Sequence, residues 1–136
     1  MVDRPALLSA KLVIYHSELE PSQISARLVL RPTDAFRHGE PIVTKRSRYS
    51  DHPTGGWILS SRDLVSSDDL EAHVVWILDR VEPASDAIHA LVDDGYDVAL
   101  VCVLSGHETG GGPTFEPVTL ARIAKLEIPV DFDVYG

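Results

Sequence analysis

Cysteine is almost missing from this chain, and Cys102 is the single one in 136 residues. A disulfide within the chain is therefore excluded, and the setting "VALVCVLS" reads as a buried thiol packed like a small hydrophobe. Cations are scarce as well: twelve Lys and Arg stand against twenty-one Asp and Glu, a net charge of -9. That balance speaks against general nucleic-acid binding, because a phosphate backbone is held mainly by Lys and Arg. No apolar run reaches the roughly 18 to 20 residues of a membrane-crossing helix. The opening stretch MVDRPALLSAKLVIY has an acid and a proline where a secretion signal has a basic patch and a small-residue cleavage site. The expected compartment is the cytoplasm. Repeats at a fixed period and low-complexity tracts are also absent.

What remains is ordinary for a folded protein. A hydrophobic content of 44% with 24% charged residues fits one globular domain over residues 1–136, long enough to bury a core without staples. The charge is unevenly laid out, however. Residues 27 to 48 hold Arg27, Arg31, Arg37, Lys45, Arg46 and Arg48 against Asp34 and Glu40, a local +4, while six basic and nineteen acidic residues elsewhere give -13. The expected object is an acidic body with a basic sleeve.

Periodicity gives the elements. A first strand is expected over residues 6–16, with Leu12 and Ile14 on one face and Lys11, Val13 and Tyr15 on the other. A short helix follows with Pro21 at its start and Ile24 and Leu28 as its stripe. "RPTDAFRHGEP" interrupts regular structure, and two β segments are expected after it, over 42–49 and 56–61. The clearest helix starts at Asp68, with Glu71 three residues on. Its apolar face is Leu70, Val74, Ile77, Leu78 and Val81, and Pro83 marks its end. A second helix over 85–94 uses Ser85 as cap, buries Ile88, Leu91 and Val92, and stops at Gly95. "YDVALVCVLSG" is apolar almost throughout and reads as a strand covered on both faces or central in its sheet. A last helix near Pro117 turns Leu120, Ile123 and Ala124 inward, and "IPVDFDVYG" is the final strand. The order predicts an α+β fold: a mixed, largely antiparallel sheet of about five strands with helices packed on it, nearest to the ferredoxin-like split β-α-β arrangement.

Several stretches, in this order and spacing, carry a family resemblance: "LVIYHSELEPSQISARL", "TGGWILSS", "GYDVALVCVLS" and "DFDVY". The chain resembles, from about Leu12 to Tyr135, the bacterial family catalogued as domain of unknown function 4279. The resemblance implies a small bacterial α+β domain and brings no activity with it.

Residues with chemistry are few. Asp131 and Asp133 lie two apart on a predicted strand, so their carboxylates share one face, where they suit a hard cation or an aqueous edge. The six histidines show no metal-ligand spacing. His73 is expected on the flank of its helix, and His107 beside Glu108 in a loop is an acid–base neighbour pair that could meet at a pocket mouth. No Gly-x-Ser-x-Gly elbow is present, and nothing indicates a hydrolase triad. The loop "SGHETGGGP" lacks the Lys and Ser or Thr of a phosphate-binding loop and carries flanking glutamates. It reads as a connection, not a ligand cradle. Trp57 after Gly55 and Gly56 reads as core. If it instead lines a cleft with Arg46, Arg48 and Tyr49, those groups form a pocket for a small anionic or planar ligand.

Three functions follow from different classes. The first is a non-catalytic interaction module with an acidic surface and a basic protein partner. The second is a small anionic-ligand binder on the basic segment and Trp57. The third is a metal-dependent enzyme built on Asp131 and Asp133. No motif calls for a cofactor, no nucleic-acid or membrane partner is expected, and an exposed edge strand leaves a homodimer open.

Overall fold

The computed structural model of the protein describes residues 8–42, 50–105 and 112–135. Its elements, in chain order, are β1 (Leu8–His16), α1 (Pro21–Leu28), β2 (Asp34–Phe36), β3 (Gly55–Ser60) and α2 (Leu70–Val81), then α3 (Ser85–Asp93), β4 (Asp97–Ser105), α4 (Pro117–Lys125) and β5 (Val130–Tyr135). A 3₁₀ turn, Glu82–Ala84, joins α2 to α3. The strands form one sheet in the order β2-β3-β1-β4-β5. The pairs β2/β3, β3/β1 and β1/β4 are antiparallel, and β5 alone joins in parallel, beside β4. The first four strands thus have the split β-α-β arrangement: β3 lies between β1 and β2, and β1 lies between β3 and β4. The fifth strand extends that sheet through the α4 crossover.

Period-two alternation along β1 decides which side of the sheet becomes core. Ala10, Leu12 and Ile14 join Trp57 and Leu59 of β3 and Val98, Leu100 and Cys102 of β4 in the main cluster. Each helix contributes to the same cluster, α1 through Ile24 and Leu28, α2 through Leu70 to Val81, α3 through Ile88 and Leu91, and α4 through Ile123. All four helices therefore cover one face. Val13, Ala99 and Val103 alternate to the other face and lie outside that cluster, although each is buried.

Local chemistry explains most element ends. Pro21 opens α1 and Pro117 opens α4, where a missing N–H costs nothing. The cap of α2 is Asp69, whose side chain accepts from the Glu71 N–H, one residue later than the pattern predicts. The α2–α3 junction also differs from expectation. Pro83 sits in the second position of the 3₁₀ turn, where its ring is tolerated, and Ser85 is the first helical residue with no side-chain cap. In α4 the buried side chains are Thr119 and Ile123, while Leu120 is 51% exposed and Ala124 is also exposed, so the helix is rotated from the expected face. Val92 likewise is 39% exposed.

β2 lies inside the stretch expected to be irregular. Three residues carry too little alternation to read as a strand. They pair because Thr33 bridges to β3, its hydroxyl donating to the Ile58 carbonyl and accepting from the Ser60 N–H. Of the strand expected over 42–49, residues 43–49 lie outside the described residues. Pro41 and Asp51 form an isolated antiparallel bridge at the base of that segment.

Gly55 and Gly56 let β3 pass between neighbours on both faces. A Cβ on Gly55 would stand 2.8 Å from the His16 carbonyl oxygen and 2.9 Å from Leu19 Cβ, and one on Gly56 would enter the Phe36 ring. At the end of α1 the reverse problem occurs. Val29 holds φ at 55° in the left-handed region, where a β-branched side chain is strained, and is 85% exposed. Opposite responses are expected in urea denaturation. Gly55→Ala should lower stability by about 1 to 3 kcal/mol through overpacking against backbone, whereas Val29→Gly should leave it unchanged or raise it by up to about 1 kcal/mol.

Candidate functional site

The face of the sheet turned away from the helices carries a set of polar and charged side chains. On β1 it presents Ser9, Lys11, Val13 and Tyr15. Through the register these align with Ser60 and Ile58 of β3, with Val103, Val101, Ala99 and Asp97 of β4, and with Asp133 and Asp131 of β5. A depression of about 400 Å³ opens there, lined among others by Lys11, Arg62, Asp34, Asp133 and Tyr135. A second hollow of about 300 Å³ lies toward the other end, beside Tyr15, Asp97 and Asp131. Phe36 packs over Gly56 on this face and stacks on His52 with ring centroids 3.7 Å apart.

The electrostatics of this face differ from those of the helical side. Arg37 is held by Glu20 in a two-point ion pair, with nitrogen–oxygen distances of 2.8 and 2.7 Å, and by Glu40 at 3.5 Å. Arg27 reaches Asp94 at 3.6 Å, and Arg122 binds Glu82 and Asp79. The Arg122 guanidinium holds the Glu82 carboxyl below its usual range. On the face away from the helices neither Lys11 nor Arg62 makes an ion pair with any described residue, as is also true of Arg31, Arg80 and Lys125 elsewhere. Tyr135 donates its hydroxyl to Asp133 Oδ2 at 2.9 Å, and that hydrogen bond raises its pKa, with Arg62 opposing the shift. Burial, and then the charge of Asp34, raises the pKa of Tyr15.

Asp131 and Asp133 share one face of β5, opposite Val101 and Val103. Among the described residues no group of three His, Cys, Asp or Glu side chains is placed to hold a metal ion. Trp57 is fully buried under α1, and its indole N–H donates to Ser25 Oγ at 3.0 Å. No part of its ring is exposed, as expected of a core tryptophan. Arg46, Arg48 and Tyr49, the other three members of the alternative pocket, lie outside the described residues, as do His107 and Glu108. The basic sleeve is therefore partly dissolved: Arg27 and Arg37 are neutralised by Asp94 just after α3, Glu20 just before α1 and Glu40 in the loop after β2.

His73 is a further correction. It is 2% exposed, not flanking, because its ring closes a network between the sheet and the loop before α2. Nε2 lies 2.9 Å from the Ser67 carbonyl, which can only accept, so Nε2 carries the proton. Nδ1 then accepts from the Ser61 hydroxyl at 2.7 Å, and Ser61 Oγ itself accepts from the Ala10 N–H. This Ser–His pair is buried, and each partner is satisfied within the core. It is an anchor, not a nucleophile and its base.

Sequence reasoning missed Lys11 and Arg62 as a pair. They stand 51 positions apart, one on β1 and one in the turn after β3, and the fold brings both to one depression. The available signal was a lysine in the middle of the apolar strand "SAKLVIY", where one face had to stay polar.

Fold and surface together define an α+β sheet protein of split β-α-β order, extended by one parallel strand, with helices on one side and a charged face on the other. The model of one family, Domain of unknown function (DUF4279), matches residues 6–136, and the chain belongs to that family. No curated protein and no solved structure matches the chain significantly. Among the described residues, no helix is long and apolar enough to cross a membrane.

Burial raises the Cys102 thiol to about 11, so almost none of it is thiolate at mild pH. Labelling with a disulfide reagent at pH near 8 should run at least about a hundredfold slower than for a free thiol and reach the free rate only in denaturant. Rapid native labelling would contradict the packing of β4.

Proposed function

We propose that the protein is a non-catalytic interaction module that takes an extended, basic segment of a partner protein onto β5 as a sixth strand. The observation that supports this reading most is the composition of that edge. β5 ends the sheet, and Phe132, Val134 and Tyr135 on it are 56%, 65% and 50% exposed. An edge protected against pairing is normally short, bulged or wholly charged. The opposite edge, β2, has three residues; β5 has six.

The ladder fixes which groups remain for a partner. The Leu100 N–H donates to the Pro129 carbonyl, so in a parallel ladder the alternate residues Asp131 and Asp133 bond toward β4. The N–H and C=O of Phe132 and Val134 then point outward. A strand added there would set apolar side chains beside Phe132 and Val134 on the helical side. On the other side it would set residues opposite Asp131 and Asp133, where Lys or Arg is favoured and acids are repelled. A second copy of this chain fits less well. An antiparallel self-pairing centred on Phe132 places Asp131 against the copy's Asp133, twice, and one centred on Asp133 sets that carboxylate against itself. Each chain also brings a charge of -9.

Other readings have less support. The anionic-ligand pocket loses Trp57 to the core, and a metal at Asp131 and Asp133 lacks a third ligand among the described residues. A synthetic peptide alternating valine and lysine, titrated by calorimetry at low and high salt, tests the proposal. Binding should weaken steeply with salt. The double change Asp131→Lys and Asp133→Lys should weaken it about tenfold to a hundredfold, and Asp86→Lys with Asp93→Lys on α3 much less. Equal losses from both pairs would mean that only net charge matters and would remove the strand site.

A further inference from the structure

The depression on the face away from the helices is a second place with unspent charge, and it does not depend on strand addition at β5. Lys11 on β1 lies opposite Ser60, the last residue of β3, and Arg62 follows in the turn after that strand; both line the depression. Both cations remain without an acidic partner among the described residues, in a chain with twenty-one acids for twelve basic residues. The shortage is not of carboxylates, since Asp34 and Asp133 line the same depression.

The sheet sets Asp133 away from Lys11. Asp133 stands on β5, two strands from β1 across β4, or roughly 10 Å at the spacing of neighbouring strands. Tyr135 fixes it there by donating to Oδ2. Ser9, 3% exposed, forms part of the floor between them. A simple anion drawn to Lys11 and Arg62 would meet Asp34 and Asp133, and a simple cation drawn to the aspartates would meet Lys11 and Arg62. A molecule carrying a carboxylate and an ammonium satisfies both ends at once, and about 400 Å³ lies within the usual range for a small-molecule site. We infer that this depression binds a small zwitterion of the amino-acid class, its carboxylate between Lys11 and Arg62 and its ammonium at Asp133. Arg62 offers a planar fork suited to a carboxylate, and Lys11 adds a point charge.

Isothermal titration calorimetry on the full chain tests this, with each proteinogenic amino acid in turn and with acetate, inorganic phosphate and methylammonium as single-charge probes. Saturable binding of at least one amino acid is expected, tighter than any single-charge probe. Lys11→Met, Arg62→Met and Asp133→Asn should each weaken it by about tenfold to a hundredfold, and Phe132→Ser should not. Amide shift changes on the unmutated chain should centre on Ser9, Lys11, Ser60 and Arg62, which guards against a variant that fails to fold. The inference is overturned by no saturable binding of any amino acid, by phosphate or acetate binding as tightly as the best of them, or by shift changes elsewhere. Because Phe132→Ser should damage strand addition and spare this site, failure of either proposal leaves the other standing.

Discussion

β1 is the constraint on which the rest of the structure depends. It pairs with β3 on one side and β4 on the other, so its alternation is imposed on both neighbours. Ala10, Leu12 and Ile14 fix the face the helices cover, and with it the places of Trp57, Leu59, Leu100 and Cys102. A one-residue slip would exchange the faces, burying Lys11 beneath α2 and turning Leu12 to solvent. The Ser61–His73 network resists such a slip at the end of the ladder, because Ser61 accepts the Ala10 N–H and is itself tied to α2.

The four helices lie on one face, so among the described residues the two surfaces of the sheet differ in character. On the helical side the arginines are spent on structure: Arg122 binds α4 to the end of α2, and Arg37 binds the loop after β2 to the start of α1. On the other side the strands and the turn after β3 bring Lys11, Arg62, Asp34 and Asp133 to one depression, where none of the described ion pairs includes Lys11 or Arg62. β5 belongs to both settings. Its aspartates face the charged surface, and its exposed apolar residues face the helical side, beyond the reach of the core.

Legibility in the sequence followed the length and strength of each pattern. The α2 stripe from Leu70 to Val81 is buried as its periodicity predicts, and the continuous apolar run of β4 lies between two neighbouring strands. β2 could not be read, because three residues define no period and their pairing rests on Thr33 and β3. The face of α4 was misjudged because Leu120 and Ile123 are equally apolar and only packing selects between them. Asp131 and Asp133 were placed on a common face correctly, since alternation suffices for that. The meeting of Lys11 and Arg62 at one depression is not visible in the sequence, because the placement of a turn beside a distant strand is a tertiary property.

The central claim is that the outward backbone groups of β5, and not the helical surface, receive a partner. Amide hydrogen exchange read by NMR, with and without a basic peptide of alternating pattern, addresses it most directly. Slowed exchange confined to Phe132 and Val134, with Asp131 and Asp133 unchanged because β4 already holds them, is the result predicted. Protection spread over α2 or α3, or no change at Phe132 and Val134 under saturating peptide, would contradict it.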